Sequence, residues 1–397
     1  MRYTALMPGE ARARLRKPLE RSLALGHPWI YRDALDELDA RPGEVVTVLG
    51  KRGGFVARGF ADAGPIGVRV LTVADEPLGP ALFERRVRAA AELRDRVVPP
   101  DTDAYRLVHG EGDRLPGLVC DVYGQHAVMQ LDGEGVIAWR DQLLEALTPA
   151  LDARAVTTVL VRTGRRGSKR LELARGAMPD APVIVREHAM KLEVDLVQGQ
   201  KTGLFLDHRE SRARARALGR GRRVLNLYGY TGGFSVAAGL GGASRVTTVD
   251  VAEGAVRAAE RNWGHNALDP ARHLGETSDV GDWLTSHARG HERFDFVIAD
   301  PPSFAPNEAA LEAALASYVE LHQRALALVA PGGLYLAASC SSHVDRAAFE
   351  QTLRVGAERS RRVLQVLDRW GAPPDHPTLV AFPEGDYLKC TLLRALD

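Results

Sequence analysis

The sequence predicts an α/β protein whose C-terminal half is an open, mostly parallel sheet wrapped by helices, preceded by two smaller parts rich in strand. Three observations carry this. Apolar runs at Val224–Leu227, Arg245–Val249 and Phe294–Ala299 alternate with helical stretches, the order of repeated βαβ units. The first run breaks into Tyr228-Gly229-Tyr230-Thr231-Gly232-Gly233 and resumes helically from Phe234, as a strand, turn and helix of a nucleotide-binding unit do. The chain begins instead with brief strands punctuated by glycine.

The β-rich part comes first, over residues 1–75. Its strands are Gly26–Tyr31, Gly43–Val48, Phe55–Phe60 and Ile66–Leu71, spaced as in a compact barrel. Their spacing and the His27-Pro28-Trp29 entry resemble a PUA domain, an RNA-binding module. Glu76–Pro80 reads as a linker, after which Phe83, Val87, Ala90 and Val97 mark one helical face that stops at Pro99-Pro100. A meander over Tyr105–Glu111, Gly117–Val122 and Ala127–Leu131 follows. With a helix over about 137–150 and strands near 156–162 and 183–196, it makes an α+β domain over 80–194. His109, Glu111 and Asp113 lack a CxxC or HExxH partner and read as a solvated loop, so no metal is expected. The third part spans 195–397.

Composition narrows the class. With 397 residues and 45% hydrophobic content the chain can bury more than one core. Three widely spaced cysteines argue against a disulfide framework. No segment approaches eighteen consecutive apolar residues and the N-terminus has no signal-peptide core, so a cytoplasmic protein without a membrane partner is expected. The formal net charge of +1 hides two basic groups. One is Arg162, Arg165, Arg166, Lys169 and Arg170; the other is Arg209, Arg212, Arg214, Arg216, Arg220, Arg222 and Arg223. Either can hold phosphate or simply coat a solvated surface.

The chemistry-bearing residues lie at the ends of the predicted strands. Asp250 follows the glycines by about twenty residues, where a carboxylate accepts ribose hydroxyls in NAD and S-adenosylmethionine sites alike. The next apolar strand ends in Asp300-Pro301-Pro302-Ser303-Phe304. Two prolines fix the backbone and withdraw N–H donors, leaving carbonyls, a carboxylate and an aromatic face to meet a flat heterocycle. Pro331-Gly332-Gly333 then turns into the strand Leu334–Ala338, which delivers Ser339-Cys340-Ser341 to the same edge. A thiol there can attack a pyrimidine ring, whereas Cys120 and Cys390 read as structural. Ser235 lacks the flanking glycines of a nucleophile elbow.

On these residues the region resembles a class I S-adenosylmethionine-dependent methyltransferase, whose fourth motif is of the (D/N)-P-P-x-(F/Y) type. Upstream, Gln198-Gly199-Gln200-Lys201-Thr202-Gly203-Leu204-Phe205-Leu206-Asp207-His208-Arg209 resembles a GQKTG-FLD-R segment. That segment belongs to the bacterial 23S ribosomal RNA (cytosine-5-)-methyltransferases with an N-terminal PUA domain. The likeness continues through NLYGYTGGFSV, DPPSF, SCS, Asp375-His376-Pro377 and Pro383–Lys389, nearly the whole chain. It implies a Rossmann-like domain with a seven-stranded, mostly parallel sheet, preceded by a PUA-like barrel and a small α+β domain. It also implies 23S ribosomal RNA as partner, a homodimer, S-adenosylmethionine as cofactor and S-adenosylhomocysteine as by-product.

Residue by residue, the resemblance implies that Gln200, Lys201, Thr202 and Phe205 close over the cofactor. Asn226, Tyr228, Gly229, Thr231, Gly232, Gly233 and Phe234 form its loop, Asp250 binds its ribose, Asp279 meets its adenine, and Asp300 borders both cofactor and base. Pro301, Pro302, Phe304 and Lys201 face the RNA base. The chemistry follows from the ring itself. Carbon 5 of cytosine is a poor nucleophile, so a thiolate such as Cys340 must add at carbon 6 and make an enamine. Asp300 can hold the exocyclic amine and ring nitrogen 3. The base must be unstacked to be reached. A separate group of RNA cytosine-5-methyltransferases has a second cysteine where this chain has Ser303, which leaves the base that removes the carbon-5 hydrogen open among water, Asp300 and a neighbour. Two other readings fit the sequence: methylation of a purine amine or ring nitrogen, and a non-catalytic RNA-binding assembly factor. The fold alone does not choose a target nucleotide.

Overall fold

A computed structural model describes residues 10–164, 170–288, 290–305 and 307–397. Their segments fall into two compact units. The first takes in the described residues of Met1–Val183 with Asp195–Leu204 and Pro374–Gly385; the second takes in those of Ile184–Val194, Phe205–Pro373 and Asp386–Asp397.

In the first unit, β1 (Ala11–Arg14), β2 (Trp29–Tyr31), β3 (Val45–Leu49), β4 (Phe55–Ala61) and β5 (Ile66–Thr72) form a sheet in the order β1-β3-β4-β5-β2, with helix α1 (Glu20–Ala24) between β1 and β2. Four strands match the sequence pattern. The fifth, β1, pairs parallel with β3 and carries no apolar alternation, because Ala13 is its one buried residue. Gly59 lets β4 and β5 approach: a Cβ there would lie 2.0 Å from the Arg69 carbonyl oxygen.

Helix α2 (Pro80–Val97) buries Phe83, Val87 and Ala90, the face marked by the sequence period. It packs beside a second sheet, β10-β9-β8-β7-β6, built from β6 (Ala104–His109), β7 (Leu118–Tyr123), β8 (His126–Leu131), β9 (Thr158–Thr163) and β10 (Arg170–Arg175). Helices α3 (Glu134–Ile137) and α4 (Arg140–Asp152) join the parallel pair β8 and β9. Phe60 and Leu71 of the first sheet share one core with Phe83, Leu107 and Leu118.

Two expectations are corrected here. The run near 183–196 does not complete this sheet; β10 does, as a largely exposed edge strand whose residues show no apolar period. The His109–Asp113 segment is no solvated loop either. Asp113 accepts two bonds from the buried Arg94 guanidinium at 2.7 Å, and Glu111 accepts from Arg69 at 2.8 Å and from the Trp29 indole at 2.9 Å. Among the described residues no group of three or more His, Cys, Asp or Glu could hold a metal ion, and no helix is long and apolar enough to cross a membrane.

The second unit opens with the hairpin β11 (Val183–Glu187) and β12 (Met190–Val194), then α5 (Arg209–Leu218). Its main sheet consists of β13 (Arg223–Leu227), β14 (Arg245–Asp250), β15 (His273–Thr277), β16 (Phe294–Ala299), β17 (Val329–Ser339), β18 (Leu364–Trp370) and β19 (Lys389–Ala395). The order is β15-β14-β13-β16-β17-β19-β18, with the first five parallel and β19 antiparallel to both of its neighbours. Helices α6 (Gly233–Leu240), α7 (Glu253–His265), α8 (Val280–His287), α9 (Leu311–Ala327) and α10 (Arg346–Ser360) connect the strands. Both faces are covered: Leu225, Val297 and Ala299 pack with Tyr318 and Leu326, while Val224, Phe296 and Ile298 pack with Phe234 and Trp263. That is why the strands read as unbroken apolar runs.

Several arginines around α5 and the start of β13 have partners within the unit. Arg212 bonds Glu187 at 2.7 Å with both side chains buried, Arg214 meets Asp368 at 3.2 Å, Arg216 donates to the His188 carbonyl at 2.9 Å, and Arg223 pairs with Glu292. Arg212 and Arg216 tie α5 to the hairpin, whereas Arg214 and Arg223 pair at the surface. Removing one partner strands the other charge in the interior. Arg212→Ala is therefore expected to lower stability by about 3–5 kcal/mol, and Arg212→Met with Glu187→Leu to recover most of it, both read from urea denaturation.

His322 of α9 is fully buried, bonded through Nδ1 to the Tyr335 hydroxyl at 2.8 Å, and burial pushes its pKa down to about 3. Below pH 6.5 the unfolded chain binds a proton that the folded chain refuses, so stability rises with pH between about 3 and 6.5 and is lost on acidification. The expected slope from this group reaches about 1.4 kcal/mol per pH unit. Urea midpoints measured between pH 4 and 7 should flatten in His322→Asn.

Candidate active site

The carboxyl ends of β14, β13, β16 and β17 share one edge of the second unit's sheet. Leu227 pairs with Val249 on one side and Ala299 on the other, and Ala299 pairs with Ala337. The chain leaves β13 and β16 toward opposite sides, which makes their junction the switch point where a crevice opens in such sheets. Asp250, the glycine loop, Asp300 and Cys340 all stand on this edge.

The loop after β13 is conformationally special. Tyr228, Tyr230 and Gly232 have φ of 56, 47 and 77°, so two tyrosines sit in the left-handed region that favours glycine. The glycines serve close packing: a Cβ at Gly229 would lie 2.4 Å from Thr248 Cγ2, and one at Gly232 would lie 2.5 Å from Ala259 Cβ. The Asp250 carboxylate accepts from the Tyr230 N–H at 2.8 Å and the Ala252 N–H at 2.9 Å, which fixes the acid beside the loop. The Phe205 ring stands edge-on to Tyr230 at 5.3 Å, and Phe234 is buried near His208. Thr231 and Gly233 continue the loop into α6.

Asn226 lies beneath the loop. It is fully buried, with its amide donating to Ser235 Oγ at 2.8 Å; Ser235 bonds Thr248 at 2.6 Å, and Thr248 bonds His273 at 2.8 Å. This buried side chain braces the loop from below. Asp279 is exposed and caps α8, accepting from the Asp282 N–H at 3.1 Å. Burial first, and the Asp279 charge second, push the Tyr228 hydroxyl up to about 12.

Asp300 follows β16, and its Oδ2 lies 3.2 Å from His208 Nε2. His208 is 2% exposed. Burial alone would depress this imidazole, but the Asp300 carboxylate, with the Cys390 sulfur adding to it, holds it well above its ordinary value. The contact with Asp300 therefore favours the protonated ring. Sequence reasoning missed it, because His208 lies 92 positions before Asp300 in a segment notable for other residues.

The two turns are tied together. Ser303 Oγ bonds Ser341 Oγ at 3.0 Å, and the Tyr318 hydroxyl bonds Ser339 at 2.9 Å and Ser341 at 3.0 Å. Phe304 leans on Tyr318 with 4.8 Å between ring centres. Pro301 is buried and Pro302 exposed, so Pro302 alone of the two presents its ring outward. Cys340 is half-buried just past β17, whereas Cys120 and Cys390 are fully enclosed, and burial pushes the Cys120 thiol far up.

Gln200, Lys201 and Thr202 lie in the first unit. The Thr202 hydroxyl donates to Asp121 at 2.6 Å and bonds Tyr123 at 2.8 Å, while Gln200 is exposed and Lys201 has φ of 50°. The buried Arg162 guanidinium donates to the carbonyls of Leu196 at 2.7 Å, Gly199 at 3.3 Å and Lys201. Arg162 thus holds this loop and is not part of a basic surface; Arg165, Arg166 and Lys169 of the same cluster lie outside the described residues.

The donor set on the second unit's edge fits S-adenosylmethionine: a carboxylate for ribose hydroxyls beside a glycine loop whose N–H groups open an α-helix. Comparison with known proteins agrees. A sequence model of S-adenosylmethionine-dependent methyltransferases matches residues 127–394, and one of PUA-like domains matches residues 13–73. A protein of Tolumonas auensis named ribosomal RNA large subunit methyltransferase I is 37% identical over 96% of this chain and 98% of its own. A ribosomal RNA large subunit methyltransferase of Deinococcus radiodurans is 37% identical over 96% of this chain and 97% of its own. Among solved structures, a protein of Streptococcus mutans described as a SAM-dependent methyltransferase superposes with a TM-score of 0.87 at 24% identity. That match covers 97% of this chain and all of the other, and it bears on the fold.

Proposed function

Because the chain belongs to the S-adenosylmethionine-dependent methyltransferase family, we propose that it methylates carbon 5 of a cytidine in large-subunit ribosomal RNA through a covalent adduct of Cys340. The observation that carries the reading is the pairing of a half-buried thiol with a carboxylate held by an imidazolium, at the ends of adjacent parallel strands beside the glycine loop.

The Cys340 thiolate forms a bond to carbon 6 of the unstacked base, and the electron pair of the 5,6 double bond makes carbon 5 nucleophilic. Asp300, 3.2 Å from His208, accepts the exocyclic N–H and holds the ring in place. When bound, S-adenosylmethionine supplies the methyl group that carbon 5 takes up, and S-adenosylhomocysteine remains. Loss of the carbon-5 proton then expels the thiolate and restores the double bond. Asp250 and the loop of Tyr228, Gly229, Thr231, Gly232 and Gly233 would hold the cofactor, with Asp279 toward its adenine and Phe205 against Tyr230. Pro302 and Phe304 would face the base.

The PUA-like domain adds an RNA-binding module to this reading, and a cytoplasmic homodimer is its expected assembly, checked by light scattering. The deciding experiment transfers labelled methyl from S-adenosylmethionine to ribosomal RNA from cells lacking this protein, then digests the RNA to nucleosides for mass analysis. Label in 5-methylcytidine is expected. Label in a methylated purine would sink the cytidine mechanism while leaving fold and cofactor intact.

A further inference from the structure

We infer that Lys389 is a positioning residue for the reaction, a buried ammonium fixed beneath the Ser339-Cys340-Ser341 turn that favours the thiolate form of Cys340. The inference rests on the reading of Cys340 as the nucleophile. Lys389 opens β19 and pairs across the ladder with Ser339, the residue before the cysteine. Its side chain is 1% exposed. Nζ donates to the Ser341 carbonyl at 2.6 Å and to the Tyr387 carbonyl at 2.8 Å, so the ammonium is clamped to the residue that follows Cys340.

Among the described residues no carboxylate stands within ion-pair distance of Nζ. A buried ammonium bonded to two neutral carbonyls lacks a compensating charge, and such a group is costly unless an anion forms nearby. Cys340 is the neighbour that can become one. The other charged or titratable groups around this pair are Asp345 and Arg346 at the start of α10, Asp386 before β19, and Asp300 and Tyr318 on the Cys340 side. Burial lowers the Lys389 pKa to about 8, with Cys340 the first of the groups that oppose the fall. The same coupling, seen from the thiol, promotes its ionisation.

The test is the pH dependence of Cys340 alkylation by iodoacetamide, followed on the Cys340 peptide by mass spectrometry, in the full chain and in Lys389→Met. The wild-type midpoint is expected below the ordinary thiol value of about 8.5. In Lys389→Met it should rise by at least one unit, with about a tenfold lower rate at pH 7. An unmoved midpoint in folded Lys389→Met overturns the inference. If that variant does not fold, the wild-type curve decides, since a midpoint at or above about 8.5 overturns it as well. Activity of Cys340→Ala reports separately on the nucleophile: retained methyl transfer removes that reading, whereas lost transfer with an unmoved midpoint removes only the role of Lys389.

Discussion

Replacing Cys340 with alanine is expected to cut methyl transfer by on the order of 10³-fold or more, because it removes the group proposed to add to carbon 6. Stability should change little, since the side chain is half-buried at the margin of its core whereas Cys120 and Cys390 lie inside theirs. Serine in its place should be almost as inactive, because a hydroxyl ionises far less readily than a thiol. The adduct itself can be caught with RNA carrying 5-fluorocytidine. Fluorine cannot leave as a proton, so the enzyme and RNA should remain joined on a denaturing gel, and Cys340→Ala should abolish that band. A band that persists in the variant would place the covalent bond elsewhere.

Replacing Asp300 with asparagine should reduce kcat about 10²- to 10³-fold, the loss typical of one electrostatic contact made to the reacting group. It also changes His208. With the carboxylate gone, burial is left to act on the imidazole and should drive its pKa below the ordinary value of 6.5. The sign of the linkage follows. In the wild type the raised His208 value contributes stability that is fully present below pH 6.5 and is lost as pH rises through the folded value. In Asp300→Asn that contribution reverses, and stability should instead fall on acidification. Proton or nitrogen NMR of His208 checks both points: an imidazolium signal surviving above neutral pH in the wild type, and a neutral ring at pH 7 in the variant. A wild-type ring already neutral at pH 7 would contradict the pair.

His208, Tyr318 and Lys389 show why part of the site was not legible in advance. Each is separated by tens of residues from the group it serves, and none has a spacing that points there. Tyr318 is a helical residue whose hydroxyl happens to face the SCS turn, and Lys389 reads in sequence as an ordinary charge at the end of a tyrosine-containing motif. The seven arginines from Arg209 to Arg223 hide their pairing in the opposite way. Sequence shows their number, while the partners of Arg212, Arg214, Arg216 and Arg223 lie on β11, on β18, in the turn after β11 and at Glu292.

The sequence by itself determined the parallel sheet, because a strand buried on both faces must be apolar throughout and cannot be disguised. It also determined the placement of Asp250, Asp300 and Cys340 at strand ends, since each terminates an apolar run. Tertiary structure alone decided which of the motif residues face outward. Asn226 and Pro301 sit within conspicuous motifs yet are turned inward, and burial of a side chain depends on what packs against it from elsewhere in the chain. Charge state was decided there too. The ionisation of His208 and Lys389 is set by desolvation and by partners distant in sequence, neither of which a linear pattern records.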